Sequence, residues 1–403
     1  MQILWGFLGI AVVLAVAFAF SNNRRAVNPR TVLGALAVQI AFALFALKWE
    51  PGREIFQGIS NGVQKVIGYA QQGINFLFGS ITSENSGTIF AFEVLPVIIF
   101  IASLIALLYY LGVMQWVIRI LGGGVSKLLK TSKAESLSAT ANIFVGQIEA
   151  PLIVRPYIKR LTQSELFTVM TGGLASVTGS TLVGYALLGV PLKYLIPASF
   201  MTAPAGLLIS KIMVPETNKE GMNNDVTLGK DEESANVIDA IARGASDGLR
   251  LALNVGAMLI AFIALVALLN GIIGGIGGWF GLGGLTLQKI LGMILSPLAF
   301  AIGVPWDEAV QAAGYIGQKM VLNEFVAYMN FAPQIKELSD KTVAIVTFAL
   351  CGFANIGSMA MIIGGLGGMA PNRRSDIARL GLRAVVAGTL ANLLSAAIAG
   401  MMI

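Results

Sequence analysis

Long runs of apolar residues recur from one end of the sequence to the other. A helix needs about 20 such residues to cross the hydrocarbon core of a bilayer, so each run is a candidate transmembrane helix. The first run is followed by Asn22-Asn23-Arg24-Arg25 and not by a cleavage site of small residues, which indicates a retained helix and not a signal peptide. The pattern predicts an all-α integral membrane protein with eight transmembrane helices, near residues 3–21, 31–48, 89–118, 164–188, 192–213, 247–272, 341–366 and 380–402.

Two further apolar segments, about 134–160 and about 294–331, are interrupted by polar residues. Each has to return to the side of the membrane on which it began, because otherwise the basic residues of the flanking loops fall on the wrong side. Irregular backbone at membrane depth is tolerated only where it is buried in protein or lines an aqueous cavity. We therefore predict two re-entrant hairpins, the first entering from the cytoplasm and the second from outside.

Three connecting segments have patterns of their own. Residues 52–81 place apolar side chains at helical spacing with Gln and Asn between them, which predicts an interfacial helix lying in the membrane plane. The polar stretch 215–236 predicts a cytoplasmic loop. The glycine-rich run 271–285 follows no strand and lacks a complete phosphate-loop spacing, so we expect a flexible outer connection.

A weak internal repeat links the two halves of the chain. Gly173-Leu174-Ala175-Ser176-Val177 resembles Gly352-Phe353-Ala354-Asn355-Ile356, and each lies in the middle of the span after one hairpin. A hairpin plus an interrupted helix, repeated in inverted orientation, is the plan of a secondary transporter with its site at the membrane midplane. The expected regions are 1–118, mostly scaffold; 119–214, the first transport repeat; 215–246, a cytoplasmic loop; 247–293, a scaffold span with an outer interfacial segment; and 294–403, the second transport repeat.

The charges agree with a multi-pass membrane protein whose N-terminus is outside. Only 12% of the 403 residues are charged, against about 25% in soluble domains. Under the alternating topology, 19 of the 27 Lys and Arg lie on the inner side, as the positive-inside rule requires, so the net charge of +6 needs no nucleic-acid partner. The lone Cys351 excludes a disulfide framework, and the absence of His removes the commonest metal ligand and general base.

Glu149 and Glu324 are the carboxylates within the two hairpins. A charged residue at the bilayer centre costs about 2.5–3.5 kcal/mol on insertion scales, so such a residue is normally functional. The alternative is that each carboxylate pairs with a neighbouring amide or with Lys319 and only holds the hairpin in shape. Asn355 and Ser358, in the second interrupted helix, could likewise serve only as polar contacts between helices.

Five motifs carry a resemblance to a known family. GQIEAPLIVRPY, LTQSELFTVMTGGLAS, NEFVAY, ALCGFANIGS and GGLGGMAPNRRSD occur in this order over most of 137–402 and resemble those of the concentrative nucleoside transporter family. The resemblance implies a homotrimer in the bacterial inner membrane, with a scaffold domain and a mobile transport domain in each protomer. It implies nucleoside import by an elevator motion, with sodium as the coupling ion in many members and protons in some.

The resemblance also assigns a site. It implies that sodium is held by the side chains of Asn142 and Ser176 and by the carbonyls of Val145 and Val177. The family usually has Thr or Ser where this chain has Ile148, so the base preference stays open. The implied substrate-binding residues are Gln147, Ile148, Glu149, Thr181, Glu324, Phe353, Asn355 and Ser358.

Other functions fit the residues less well. Proton coupling through Glu149 or Glu324 is disfavoured because Asn142 offers an oxygen ligand but no titrating group. A nucleobase transporter is a more remote alternative. A membrane-embedded hydrolase would need a nucleophile and a base, and the chain has no His, no metal-ligand cluster and no G-x-S-x-G. A passive channel is also possible, but two hairpins that each carry a single carboxylate suit a closed, saturable site better.

Overall fold

The computed structural model describes residues 2–79, 89–223, 226, 234–281 and 284–403. All regular elements in these residues are helical, and the all-α prediction is confirmed. Helix α3 carries the amphipathic pattern of 52–81; residues 80 and 81 lie outside the described part. The N-terminal helices are α1 (Gln2–Ala19), α2 (Pro29–Ala43, prolonged by a π-helical turn over Leu44–Lys48), α3 (Glu50–Phe78), α4 (Phe90–Glu93), α5 (Leu95–Tyr110) and α6 (Val113–Leu129).

The third predicted span is shorter than its apolar run. Gly112 adopts a φ of +78°, a left-handed conformation that favours glycine, and it separates α5 from α6. The expected span 89–118 therefore ends at Tyr110. The following helix places its buried residues along one face, including Ile118 and Gly122.

The next helices begin at strong capping signals. The side chain of Ser132 accepts from the backbone N–H of Glu135 and that of Thr162 accepts from the N–H of Glu165, and each Glu returns a hydrogen bond to its capping residue. Helices α7 and α8 and the loop between them form hairpin 1, and residues 176–178 between α9 and α10 form the first break. The helices are α7 (Lys133–Ala141), α8 (Glu149–Leu152), α9 (Gln163–Ala175), α10 (Gly179–Leu187) and α11 (Leu192–Met213).

The polar stretch 215–236 lies between α11 and α12 (Val237–Trp279), but the wider cytoplasmic region expected at 215–246 includes the first turns of α12, and the glycine-rich connection is largely helix. Helix α12 begins within the stretch assigned to the 215–246 loop and continues through most of 271–285. Within a bilayer, backbone groups have no water to bond, which favours helix even for glycine-rich sequence. In the loop, residues 224, 225 and 227–233 lie outside the described part, as do 282 and 283 in the connection.

The second hairpin also starts later than predicted. Helix α13 (Leu287–Ala301) meets α14 (Trp306–Val321) at a bend of 116° across residues 302–305, so the expected hairpin at 294–331 contains part of a separate helix. Gly303, with a φ of +109°, supplies the turn. We use hairpin 2 for α14 and α15 (Glu324–Phe331), and second break for residues 351–355. The remaining helices are α16 (Asp340–Leu350), α17 (Ile356–Met369) and α18 (Arg374–Met402).

Within the described residues, six helices are long and apolar enough to cross a membrane, and the bent pair α13–α14 is a further candidate. Two of the eight predicted spans contain a break. The span 164–188 is interrupted by the first break and the span 341–366 by the second, which leaves Ile356–Met369 as a short apolar helix. The predicted span 3–21 corresponds to α1, a helix of 18 residues. The six helices are Pro29–Lys48, Phe90–Tyr110, Gln163–Leu187, Leu192–Met213, Val237–Trp279 and Pro371–Met402.

The internal repeat is visible in the order of elements. Each hairpin is followed by a short 3₁₀ turn, Arg155–Arg160 or Ala332–Glu337, and then by a half-helix, a break, a second half-helix and one long helix. We call α6–α11 and α13–α18 together the repeat body. Helix α18 lies at its centre, packed against α9, α11, α16 and α17. Gly388 permits the close approach to α9, since a Cβ there would lie 3.0 Å from the Cβ of Leu174.

Helices α5 and α12 form a second packing unit. Gly244 and Gly248, four residues apart on α12, face α5 so closely that a Cβ at Gly248 would lie 2.7 Å from the Cα of Ile99. Small residues at this spacing let two membrane helices approach to backbone contact. This pair contacts the repeat body mainly through α10, α6 and α15.

Candidate functional site

The two breaks meet at the centre of the repeat body. The backbone N–H of Phe353 in the second break donates to the carbonyl of Ser176 in the first, at 3.1 Å. Each break ends at a side-chain cap: Thr178 accepts from the N–H of Thr181, and Asn355 accepts from the N–H of Ser358. The sequence repeat thus marks two helix interruptions that lie against each other.

Glu324 is the buried carboxylate at the start of the second arm of hairpin 2. One oxygen, Oε1, accepts from the hydroxyl of Tyr185 at 3.1 Å, and the other, Oε2, accepts from the side-chain amide of Asn355 at 3.2 Å. Asn323 caps α15 by accepting from the N–H of Val326, which fixes the backbone at this point. The sequence-predicted residues Glu324 and Asn355 are therefore in direct contact.

Tyr185 is a site residue that the sequence reasoning missed. It lies one turn after Thr181 on α10, so both side chains share a face of that helix. The Tyr185 ring is fully buried and stacks on Tyr328 with a centroid separation of 4.3 Å. A buried hydroxyl at helical spacing from Thr181 was the available signal, but its partner Glu324 is 139 residues away in the chain.

The tip of hairpin 1 packs between α9 and α17. A Cβ on Gly173 would lie 3.1 Å from the Cβ of Gln147, and a Cβ on Gly365 would lie 3.1 Å from Cγ2 of Ile148. The amide nitrogen of Gln147 reaches the sulfur of Met361 at 3.9 Å, while its buried Oε1 has no hydrogen-bond partner among the described residues. Gln147 therefore presents an unsatisfied acceptor near the middle of α17.

Both hairpins thus contact the same half-helix. Hairpin 2 contacts Asn355 at its start, and hairpin 1 contacts Met361, six residues further on. Six residues of helix rise about 9 Å. Ser358, which is buried, lies between these two contacts, and Phe353, which is partly exposed, precedes the helix. The arrangement places polar groups of the two hairpins at two points about 9 Å apart along one half-helix.

Glu149 occupies a different setting from Glu324. Its side chain lies beside Gly146, where an added Cβ would clash with the carboxylate and would lie 2.9 Å from Cγ2 of Thr178. It interacts electrostatically with Asp247 of α12, and its side chain is exposed. The structure therefore does not bring Glu149 into contact with Glu324: Glu149 lies near Thr178 of the first break, and Glu324 contacts Tyr185 of α10.

Asn142 presents a free oxygen in the part of the chain that the structure describes. Its amide nitrogen donates to the carbonyl of Ser138 at 2.9 Å, but Oδ1 is buried and has no partner. An unsatisfied buried acceptor typically costs about 1–3 kcal/mol, which a cation would offset. Ser176 and Val177 of the first break and Val145 of hairpin 1 are buried as well. These groups offer only oxygen atoms, the donor set that suits sodium.

A second polar network joins the breaks and was also missed. Asn392 of α18 donates from its amide nitrogen to the carbonyl of Ala175 at 2.6 Å and to that of Cys351 at 2.8 Å. Its oxygen accepts from the ammonium of Lys319 at 2.7 Å, and Lys319 also donates to the carbonyl of Ala349 at 2.8 Å. This network supplies hydrogen-bond donors to backbone carbonyls that have no intrahelical partner where the helices are interrupted.

Comparison with known families agrees with this fold. The Na+ dependent nucleoside transporter C-terminus model matches residues 194–400, the N-terminus model of the same description matches 8–81, and a nucleoside recognition model matches 91–192. The chain belongs to the concentrative nucleoside transporter family, whose members are membrane transporters and not enzymes. The resemblance drawn from the motifs is confirmed.

Individual relatives match along their whole length. The chain is 50% identical over 411 residues to the nucleoside permease NupC of Helicobacter pylori, covering 99% of this chain and 98% of that protein. It is 59% identical over 404 residues to the uncharacterized transporter YutK of Bacillus subtilis, covering 100% of both. The structure of CNTnw in an inward-facing substrate-bound state matches with a TM-score of 0.95 and 55% identity, covering 100% of this chain and 98% of that one.

Proposed function

We propose that this protein imports nucleosides together with sodium. The observation that carries the proposal is the buried carboxylate of Glu324, held by Tyr185 and Asn355 on the half-helix that both hairpins contact. A membrane protein retains a buried carboxylate of this kind for a substrate or ion pathway. The family places the substrate among nucleosides, and the site offers acceptors for a sugar and an amide for a base.

The sugar is assigned to the end of the site that contains Glu324. A carboxylate accepts charge-assisted hydrogen bonds, and the neighbouring hydroxyls of a ribose are suitable donors. The donors Tyr185 and Asn355 hold one carboxylate oxygen each, which fixes the direction of the remaining lone pairs. Ser358 and Phe353 are assigned to the same end, and Thr181 to the wall formed by α10.

The base is assigned to the tip of hairpin 1. Gln147 can donate and accept, which suits the edge of a nucleobase, and its Oε1 is the unsatisfied acceptor described above. Ile148 adds an apolar contact next to Gly365 in place of a hydroxyl. Glu149 is assigned to the tip of hairpin 1 as the third member of this group.

Sodium is assigned to Asn142 and Ser176 with the carbonyls of Val145 and Val177. Support comes from the unpartnered Oδ1 of Asn142 and from the sodium dependence that the matching family models describe. Unwound membrane helices supply carbonyl oxygens for alkali ions. An amide cannot carry a proton at neutral pH, so this site favours sodium over proton coupling.

The transport cycle in this proposal is alternating access, and each protomer of a homotrimer carries it out by an elevator motion. The relative CNTnw has been observed in inward-facing, outward-facing and intermediate states, and this chain matches each with a TM-score of 0.94 to 0.96. In this proposal the repeat body moves, together with its two re-entrant hairpins, and the α5–α12 pair belongs to the scaffold. The positive-inside distribution supports an N-terminus outside the bacterial inner membrane.

Uptake of radiolabelled nucleoside into proteoliposomes tests the proposal. The sodium gradient and the pH gradient are imposed separately, and empty liposomes serve as the control. Sodium at constant pH should drive accumulation above equilibrium, and a pH gradient without sodium should not. Full uptake driven by the pH gradient alone would favour proton coupling, and uptake of free bases in place of nucleosides would move the substrate to another class.

A further inference from the structure

At the second break, side chains donate hydrogen bonds to the backbone carbonyls. The last turn of a helix leaves carbonyls without intrahelical partners. At the end of α16 the carbonyl of Thr347 accepts from the hydroxyl of Tyr328 at 2.7 Å, and that of Ala349 accepts from the Lys319 ammonium at 2.8 Å. The carbonyl of Cys351 accepts from Asn392. This half-helix therefore ends on protein donors, one of them a buried ammonium group.

Lys319 is among the largest fully buried side chains of the protein. It is 1% exposed, and both oxygens that its ammonium contacts, the Ala349 carbonyl and Asn392 Oδ1, are acceptors. The carbonyl end of a helix carries a partial negative charge, which favours a cation at that position. Glu324, five residues later in the same hairpin, interacts electrostatically with Lys319.

The first break differs at the corresponding place. The carbonyl of Ala175 accepts from Asn392. Asn142, whose amide nitrogen would lie 3.3 Å from a Cβ on Gly172 in the last turn of α9, has a buried Oδ1 without a partner among the described residues. One interrupted helix thus ends against a resident ammonium group, and the other against an oxygen that lacks a donor. Asn392 connects the two breaks: its amide nitrogen donates to the carbonyl of Ala175 at the first, and its oxygen accepts from Lys319 at the second.

We propose that the ammonium group of Lys319 is a covalently tethered cation at the second break. It binds the carbonyl end of the interrupted helix there, as the coupling ion does at the first break. This inference rests on the proposed sodium site at Asn142. The second break then keeps its cationic group throughout the cycle because that group is tethered, while the first break holds a cation only when the ion is bound. Shortening Lys319 should open a site for a small monovalent cation between the Ala349 carbonyl and Asn392.

The test measures nucleoside binding to purified protein by calorimetry at saturating sodium, with and without methylammonium as the probe. Lys319→Ala removes the ammonium and leaves space for the probe, so its affinity should fall about tenfold and methylammonium should restore most of the loss. Lys319→Met lacks the charge but fills the space, so its affinity should fall and methylammonium should not restore it. The parent and the exposed-lysine control Lys336→Ala should not respond to methylammonium.

Two results would overturn the inference. Lys319→Met binding nucleoside as tightly as the parent would show that the charge is not needed, and this variant decides the question alone if Lys319→Ala does not fold. A folded Lys319→Ala protein that stays weak with methylammonium would show that the second break takes no exchangeable cation. Thermal stability with and without methylammonium gives a second readout. Failure of the symport proposal is distinguishable, because it appears as sodium-independent binding in the parent.

Discussion

Tyr185→Phe removes the hydroxyl that donates to Glu324 at the centre of the proposed sugar site. The hydroxyl of Tyr185 donates to Glu324 Oε1 at 3.1 Å, while its ring stacks on Tyr328 and meets Phe325 edge to face at 5.2 Å. Phenylalanine keeps both ring contacts and removes the hydroxyl, together with its hydrogen bond to the side chain of Thr181. The second carboxylate oxygen keeps its contact with Asn355, so the variant should loosen the carboxylate without releasing it.

The expected effect is about a tenfold loss of nucleoside affinity. A hydrogen bond to a charged group contributes about 1.5–3 kcal/mol. The 3.1 Å separation is longer than the 2.5–2.7 Å usual for a hydroxyl and a carboxylate, which places this bond near the lower limit. A change of about 1.4 kcal/mol corresponds to tenfold in the dissociation constant. Since the sugar is common to all nucleosides, the factor should be similar for uridine, cytidine and adenosine.

Calorimetric binding of these three nucleosides provides the assay, and Tyr328→Phe provides the matched control. Tyr328 is equally buried, belongs to the same stack and donates to the Thr347 carbonyl at 2.7 Å, but that bond does not involve Glu324. Its loss should lower stability and leave affinity nearly unchanged. The reasoning is refuted if Tyr185→Phe binds as the parent does, if both variants weaken equally, or if the loss depends strongly on the base.

Three other substitutions test the remaining assignments. Glu324→Gln removes the charge in a dry site, so the affinity for every ribonucleoside should fall by a similar factor, about tenfold or more, in competition binding, where free uracil and adenine should also compete poorly with the parent. Asn142→Leu removes the free amide oxygen, so uptake should lose its sodium dependence while cross-linking still detects the oligomer. Ile148→Thr adds a hydroxyl near the base, so competition across a nucleoside panel should show a new order of preference with the sugar requirement intact.

Each of these expectations has a contrary outcome. Free bases competing as well as nucleosides would remove the sugar role from Glu324. Unchanged sodium dependence in Asn142→Leu would move the ion elsewhere, and loss of the oligomer in that variant would indicate misfolding. An unchanged order of bases in Ile148→Thr would separate Ile148 from base selection.

Sequence reasoning located both helix breaks because polar residues are rare in a chain so apolar. Asn355 and Glu324 were visible as such exceptions, and the structure joins them at 3.2 Å. The boundaries were harder to predict. Helix α12 begins at Val237 because its first turns, although polar enough to resemble a loop, have Gly244 and Gly248 packed against α5. Contacts of this kind depend on residues distant in sequence.

The missed site residues have the same explanation. Tyr185 and Asn392 each occur in an otherwise ordinary helix, and nothing adjacent in sequence marks them. Lys319 was expected only as a possible partner of a hairpin carboxylate, and not as a donor to Ala349 and Asn392. The partners of these three residues are 139, 217 and 73 residues away for the Tyr185–Glu324, Asn392–Ala175 and Lys319–Asn392 contacts. Periodicity identifies which face of a helix is buried, but the pairing of polar groups requires the positions of other helices.

The buried ionic groups have an electrical consequence. Glu135 forms an ion pair with Lys211, and Lys319 lies within electrostatic range of Glu324, so these two pairs add no net charge to the repeat body. A neutral nucleoside adds none, and the proposed sodium ion becomes the charge that responds to voltage. One charge crossing 100 mV gains about 2.3 kcal/mol, roughly a fiftyfold accumulation. Each turnover should therefore register as an inward current, and an energised membrane should concentrate nucleoside even with equal sodium on both sides.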